Sequence, residues 1–472
     1  MKKKILAVFL SLCMAMSLLP VTALAAEGEG KISPPTASDN NFFANGTPIT
    51  ITKEIPAGGE KATVEGFTAE GEDAYISWYD NETTKYVGVS DDVSIYGGGD
   101  GRAKSVTLPS TSITMTGGTV WNLFGGNYGE ETKDKNFCST VEGNVNISLS
   151  GKAVVKNLLH GAGARNTCVN GTITMTFDGV DLSNDTNKLY VNGGSWGNGN
   201  EGTRKIESGA MDTNAVANKV VINATNSKFY LLGGGGSGST KVKDADVNLT
   251  KCEVDLLYLS GINGEVMDSS IVATDCKIGS FSATNRGFVG TGSVDLNNCT
   301  VTKLNTGAAE GCFSSDSGGT DGSGVTGRVS YDIDADSIVK EAVLTPHVMR
   351  LNNNYTSTIQ NVTINKEGAS LELSVASFDA VYKDGSATIV LEEYLVPEDS
   401  FLTLNNVETT IAKDNTLTNA GTINMDKDSS LTVASGATLK QAGTVNGEVE
   451  NNGTITKYVA RVGNKGYESL EA

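Results

Sequence analysis

Histidine is almost missing from this chain, with 2 in 472 residues. That removes the usual residue from most imidazole acid–base chemistry and from the commonest zinc sites. Proline is scarce at 8, aromatics make up 6%, and 36 basic residues stand against 55 acidic ones for a net charge of -19. An acidic surplus argues against nucleic acid or anionic membranes as partners, because both are held by clustered Lys and Arg. Beyond the first 25 residues there is no apolar run near the ~20 residues that a spanning helix needs. A charged fraction of 19% with 38% hydrophobic residues keeps the chain out of the disordered class. Glycine, by contrast, is abundant: 56 of 472 residues, against a usual share of about 7%. Many tight turns with few prolines and few aromatics point to a β-rich, repetitive architecture.

The chain opens with Lys2, Lys3 and Lys4, an apolar run from Ile5 to Leu19, Pro20, and then Ala23-Leu24-Ala25. This order predicts a secretory signal peptide over 1–25, too short and wrongly flanked for a stable span. The mature protein is then expected to be secreted or held at the cell surface, and not integral to the membrane. At the other end, Val459 to Ala472 reads VARVGNKGYESLEA. It is read as the start of a further module or as a frayed tail.

Between the ends runs a repeat with apolar residues at positions 0, 2, 7 and usually 10. It starts at Ile113, Ile147, Ile173, Ile222, Val247, Ile271, Val294 and Tyr331, with steps of 34, 26, 49, 25, 24, 23 and 37 residues. The 0/2 step is strand alternation, and glycine follows the second short strand, as in Leu123-Phe124-Gly125-Gly126. A turn of 23–26 residues carrying two or three short strands is what one coil of a parallel β-helix requires. Cys252, Cys276 and Cys299 share one template position of inward parity, which predicts a buried column of free thiols. The fold expected is all-β: a right-handed parallel β-helix (solenoid) with a small N-terminal β cap. Its segments are a loose stretch and β cap over 26–93, the β-helix with loop insertions over 94–384, shorter coils over 385–457, and the tail over 458–472.

Phrases such as "VSIYGGGDGR", "SITMTGGTVWNLFGGNYG" and "GTINMDKDSSLTVASGATL" carry a resemblance. Over roughly Ser94 to Thr456 the chain resembles the pectin-lyase-like right-handed β-helices of bacterial surface proteins, including adhesin-like proteins of Firmicutes. The resemblance implies a Gram-positive surface protein more than it implies an activity. Polygalacturonase-like members carry G-H-G and R-I-K motifs, which are absent here, although Asp91-Asp92 is present. A polysaccharide-degrading enzyme, pectate-lyase-like or a glycoside hydrolase, is the alternative. Arg102, Arg165 and Arg286 would be its available cations, with no catalytic residue assigned.

Other motif matches lack the structure they need. Gly233-x-Gly235-x-x-Gly238 is followed by a strand pattern rather than the helix that a dinucleotide site requires. Gly193-Gly194-Ser195-Trp196-Gly197 fits a nucleophile elbow, but glycines follow where a helix should start. Asp332, Asp334 and Asp336 have the first spacings of a calcium loop, but Ser337 replaces its glycine and Val343 its final glutamate. No cofactor is therefore expected, calcium being the one metal these acids could hold weakly. His160 and His347 read as structural residues.

The longer steps place insertions near Asn127–Asn144, Ser183–Lys219 and Asn305–Val329, after the second strand. Insertions at one template position emerge on one side of a solenoid. Trp196, Tyr128, Phe137 and Tyr190 fall in the first two insertions, and Trp121 lies at an outward position. These five are the candidate ligand-binding residues. The partner expected is a host or bacterial surface glycan or a protein ligand. The function expected is adhesin-like binding or a structural stalk, without catalysis.

Overall fold

The computed structural model describes residues 33–467 apart from 39, 81–82, 130–137, 184–187, 198–215, 239, 263, 286, 309–327, 334–335, 345–347, 353–358, 375–377, 384–385, 391–393, 397–400, 412, 428 and 463–464. The signal-peptide segment, Phe137 and His347 thus lie outside the described residues.

Every regular element described is a strand, and 33 of them join into one continuous sheet. Most strands pair in parallel with the strand after next. Val216–Thr225 lies against Lys241–Thr250, and Lys228–Gly233 against Glu253–Tyr258. Residues one register apart are separated by 25, 24 and 23 positions through this part of the chain. Parallel stacking of short strands at a near-constant period is compatible with a solenoid.

The alternation read from the sequence sets the core. Ile113, Ile147, Met175, Ile222, Val247, Ile271, Val294 and Tyr331 form one register column, and all eight are buried. Their neighbours on the strands, such as Thr114, Ser148, Thr176 and Asn223, face outward and are polar. Each buried aliphatic side chain stabilises the stack by about 1.5–3 kcal/mol.

The third start differs from the sequence reading. Met175, not Ile173, aligns with Ile147, and Leu182 aligns with Phe229. A slip of two keeps side-chain parity, so Ile173 is also buried and the alternation alone could not reject it. In the second repeat, irregularities after Leu149 and Val155 put Leu159 rather than Leu158 into the core.

The turns between consecutive strands repeat as well. Asn226, Lys251, Asp275 and Asn298 all adopt a left-handed backbone, with φ of 50°, 54°, 57° and 52°. Each immediately precedes Ser227, Cys252, Cys276 or Cys299. The Cys252 and Cys276 amides donate to the Sγ of the next cysteine at 3.4 Å, and the Cys299 amide donates to Ser337 Oγ at 2.8 Å. Each thiol in turn donates to the carbonyl two residues back, at 3.2–3.4 Å. The three free, buried thiols therefore act as small acceptors for buried amides, in the column the sequence places them in. Cys138 and Cys168 form a disulfide, with Cα atoms 6.3 Å apart.

At the N-terminal side Ile49–Thr52 pairs in parallel with Thr111–Phe124 and antiparallel with Ala74–Asp80, which makes a hairpin with Thr83–Val89. Toward the C-terminus the strands shorten to three or four residues, as in Thr422–Met425 and Thr444–Asn446, and remain parallel.

Candidate functional site

Besides the main core there is a second, separate apolar cluster of Phe43, Tyr96, Phe124 and Ala164, against which Tyr128, Leu158 and Trp196 pack. Its inner members follow from register: Phe43, Tyr96 and Phe124 end successive parallel strands. Their rings stack at 5.1 and 4.7 Å. After Tyr96, Phe124, His160, Asn192 and Gly233 a glycine follows the strand end and lets the chain fold over it. Four residues past the strand end, at Asp100, Tyr128, Ala164, Trp196 and Ser237, the chain pairs again with its neighbours through single parallel bridges.

This second line of residues carries the chemistry. Arg102 lies 5.0 Å from the Tyr128 ring, Arg165 lies 5.3 Å from Tyr128, and Arg165 lies 5.7 Å from the Trp196 ring. The result is an alternating ladder of guanidinium and ring: Arg102, Tyr128, Arg165, Trp196. Cation–π contacts of this kind contribute about 0.5–2 kcal/mol each, depending on desolvation. Asp100 grips Arg102 through three hydrogen bonds, Nε to Oδ1 at 2.8 Å, Nη2 to Oδ2 at 2.6 Å and the backbone N–H to Oδ1 at 3.1 Å. Burial pushes the Asp100 carboxyl up, but the Arg102 bonds outweigh it and hold the group below the usual carboxylate range. The same bonds raise Arg102. Burial raises the Tyr96 phenol, with the neighbouring Tyr128 adding to the effect.

Arg165 is held in a left-handed conformation, with φ of +68°. At the equivalent place after each bridge stand Gly129, Gly197 and Gly238, the last with φ of +72°. A non-glycine residue with a left-handed φ, as at Arg165, carries a backbone cost of about 1–2 kcal/mol.

The five ligand candidates separate on this geometry. Tyr128 and Trp196 are brought together in the ladder, two bridges apart. Tyr128 also stacks on Tyr96 at 5.1 Å, so its ring is contacted by three groups. Trp196 ends the ladder, since its next bridge partner is the small Ser237. Tyr190 sits on the strand Tyr190–Asn192, with its ring 6.4 Å from Tyr230. It is part of the stack rather than of an insertion. Trp121 is 37% exposed, on the strand Thr111–Phe124, and takes no part in the ladder's ring contacts.

The acids proposed for calcium are only partly placed. Asp332 pairs in register with Asp295 and Asn352, Asp336 is exposed, and Asp334 lies outside the described residues. Among the described residues there is no group of three or more His, Cys, Asp or Glu that could hold a metal ion. The serine of the elbow-like motif, Ser195, is buried with its hydroxyl 3.0 Å from Thr167 Oγ1. His160 is wholly buried, its Nδ1 lies 3.3 Å from the Gly194 carbonyl, and burial pushes its pKa down to about 3. The glycines of the dinucleotide-like motif lead into the strand Lys241–Thr250.

The arginines of the ladder and the ring stack beneath it were not assigned from the sequence. The signal that could have found them is the constant step of four residues from the strand ends Tyr96, Phe124, His160 and Asn192 to Asp100, Tyr128, Ala164 and Trp196. No protein-family model matches the chain, and no curated protein and no solved structure does so either.

Proposed function

We propose that this chain is an exported, non-catalytic surface protein whose parallel strands wind as a right-handed, pectin-lyase-like β-helix. The antiparallel hairpin Ala74–Val89 serves as its N-terminal cap. It works as an adhesin-like binding module on a structural stalk, and a surface glycan or protein ligand is met at the Arg102–Tyr128–Arg165–Trp196 ladder. The Cys138–Cys168 disulfide supports an oxidising, extracytoplasmic location.

The observation that carries the binding reading is Arg165. A strained arginine stands where its counterparts are glycine, between the two aromatic residues that the ladder brings together. Retained backbone strain at such a place is a mark of function rather than of stability. Trp196 supplies a ring at the end of the ladder, and flat rings beside guanidinium groups suit stacking on sugar or peptide surfaces.

The test is a binding screen of the full mature chain on glycan and extracellular-matrix arrays, alongside Trp196→Ala and Arg165→Gly. Both variants are expected to lose binding. Arg165→Gly is expected to remain folded, because relief of the left-handed backbone, about 1–2 kcal/mol, offsets the loss of the two ring contacts. Binding that survives both substitutions would remove the ladder as the site, and released oligosaccharide fragments in the same wells would favour the enzyme alternative.

A further inference from the structure

The strand-end column beneath the ladder changes character partway. It runs Phe43, Tyr96, Phe124, His160, Asn192, Gly233, Tyr258, Ser282 and Asn305. His160 continues the aromatic stack, 5.9 Å from Phe124 and tilted by 18°. Its Nδ1 faces the Gly194 carbonyl, a contact that only an N–H can make, so Nε2 carries a lone pair. That Nε2 is buried and has no protein partner. Asn192, next in the column and also wholly buried, has no protein partner for either its Nδ2 or its Oδ1.

Amides elsewhere in the stack meet each other across registers. Asn248 donates to Asn223 at 3.1 Å, Asn446 to Asn424 at 2.9 Å, and Asn157 to Asn122 at 3.0 Å. Asn192 cannot do this, because a histidine precedes it and a glycine follows. Glycine is enforced at 233: a Cβ there would come within 2.6 Å of the Ser260 carbonyl oxygen and 3.1 Å of Asn192 Oδ1. His160 Nε2 and both amide atoms of Asn192 are thus buried without protein partners on adjacent registers of the column, and Asn192 Oδ1 lies beside the place where Gly233 leaves no side chain. Burial without a partner is expensive for each of them, and native interiors satisfy such groups with ordered water.

We infer that the column holds an internal water site between His160 and Asn192. A fixed water donates to His160 Nε2 and accepts from Asn192 Nδ2, and it joins the aromatic half of the column to its polar half. The site is independent of ligand binding at the ladder.

A crystal structure of the full mature chain that shows ordered solvent tests this directly. A water oxygen about 2.7–3.2 Å from both Nε2 and Nδ2 is expected. The Asn192 amide bonded directly to Nε2, with no solvent between them, would overturn it. In parallel, His160→Phe and Asn192→Leu singly should each lower the thermal midpoint by roughly 1–4 °C, by stranding the remaining polar group and its water. The double variant, which removes every polar member, should lose clearly less than the two losses added together. Fully additive losses would count against a shared water.

Discussion

His160 gives the sharpest handle on the stack, because its pH dependence can be separated from everything else. The imidazole is wholly buried, and burial is the main reason its pKa falls to about 3 in the folded chain from an ordinary 6.5. The folded value is the depressed one, so the unfolded chain binds the extra proton between these two values. Stability is then fully present above about pH 6.5 and is lost as the pH falls toward 3. The loss approaches about 1.4 kcal/mol per pH unit, which amounts to roughly 2–3 kcal/mol between pH 6.5 and 4.5. Against a total of about 5–15 kcal/mol for a typical domain, that is readily measured.

The assay is urea unfolding followed by tryptophan fluorescence at pH 7.5, 5.5 and 4.5, for the parent and for His160→Phe. Phenylalanine extends the ring stack that Phe124 begins and cannot titrate. Carboxylates such as Asp100 also hold depressed values in the folded chain and lose stability on acidification, but they are common to both proteins and cancel in the difference. The parent should fall relative to the variant by about 2–3 kcal/mol over this range. A gap that stays constant from pH 7.5 to 4.5 would refute the buried, neutral histidine.

Three further outcomes follow from the turns and the column of thiols. Cys276→Ser keeps an acceptor for the Cys252 amide and should be nearly neutral, whereas Cys276→Ala strands that amide and should cost about 1–3 kcal/mol in urea unfolding. Lys251→Gly should leave stability unchanged or raise it by up to about 1 kcal/mol, because the residue sits at φ +54°. Gly118→Ala should destabilise by more than about 1 kcal/mol, since φ is +86° and the added Cβ would come within 2.6 Å of the Ala74 side chain. Thermal melts of the four substitutions, each beside the parent, check the order.

How much of this was legible in the sequence depends on what each signal fixes. Alternation fixes parity, which is why the core residues from Ile222 to Val294 were placed correctly and in register. Parity does not fix register. At Ile173 and Met175 two equally apolar residues of the same parity compete, and cross-strand pairing decides for Met175. The cysteine column was readable because three identical residues recur at the spacing of the repeat. The ladder was harder to read. Tyr128 and Trp196 stood out as aromatics, but their partners Arg102 and Arg165 differ in kind and lie at slightly different offsets from the strand ends. Tyr190 looked like a residue of an insertion only because the boundary of its strand carries no sequence mark.

The same physics explains why the informative places are those where a column changes its chemistry. In a parallel stack each side chain is set against the same position one register before and one after, so a column of like residues satisfies itself. The thiols receive amides from their neighbours, the asparagine pairs share amides, and Tyr96 and Phe124 stack. Nothing in folding alone favours breaking such a run. Where it breaks, either the local cost is met by something outside the chain or the break stays as strain. His160, Asn192 and Gly233 break a run and leave buried polar atoms without protein partners. Arg165 breaks a run of glycines and accepts a left-handed backbone to stand between Tyr128 and Trp196. On backbone grounds alone, glycine at 165 would serve better. The arginine is therefore the residue whose replacement separates what the stack needs for stability from what it does.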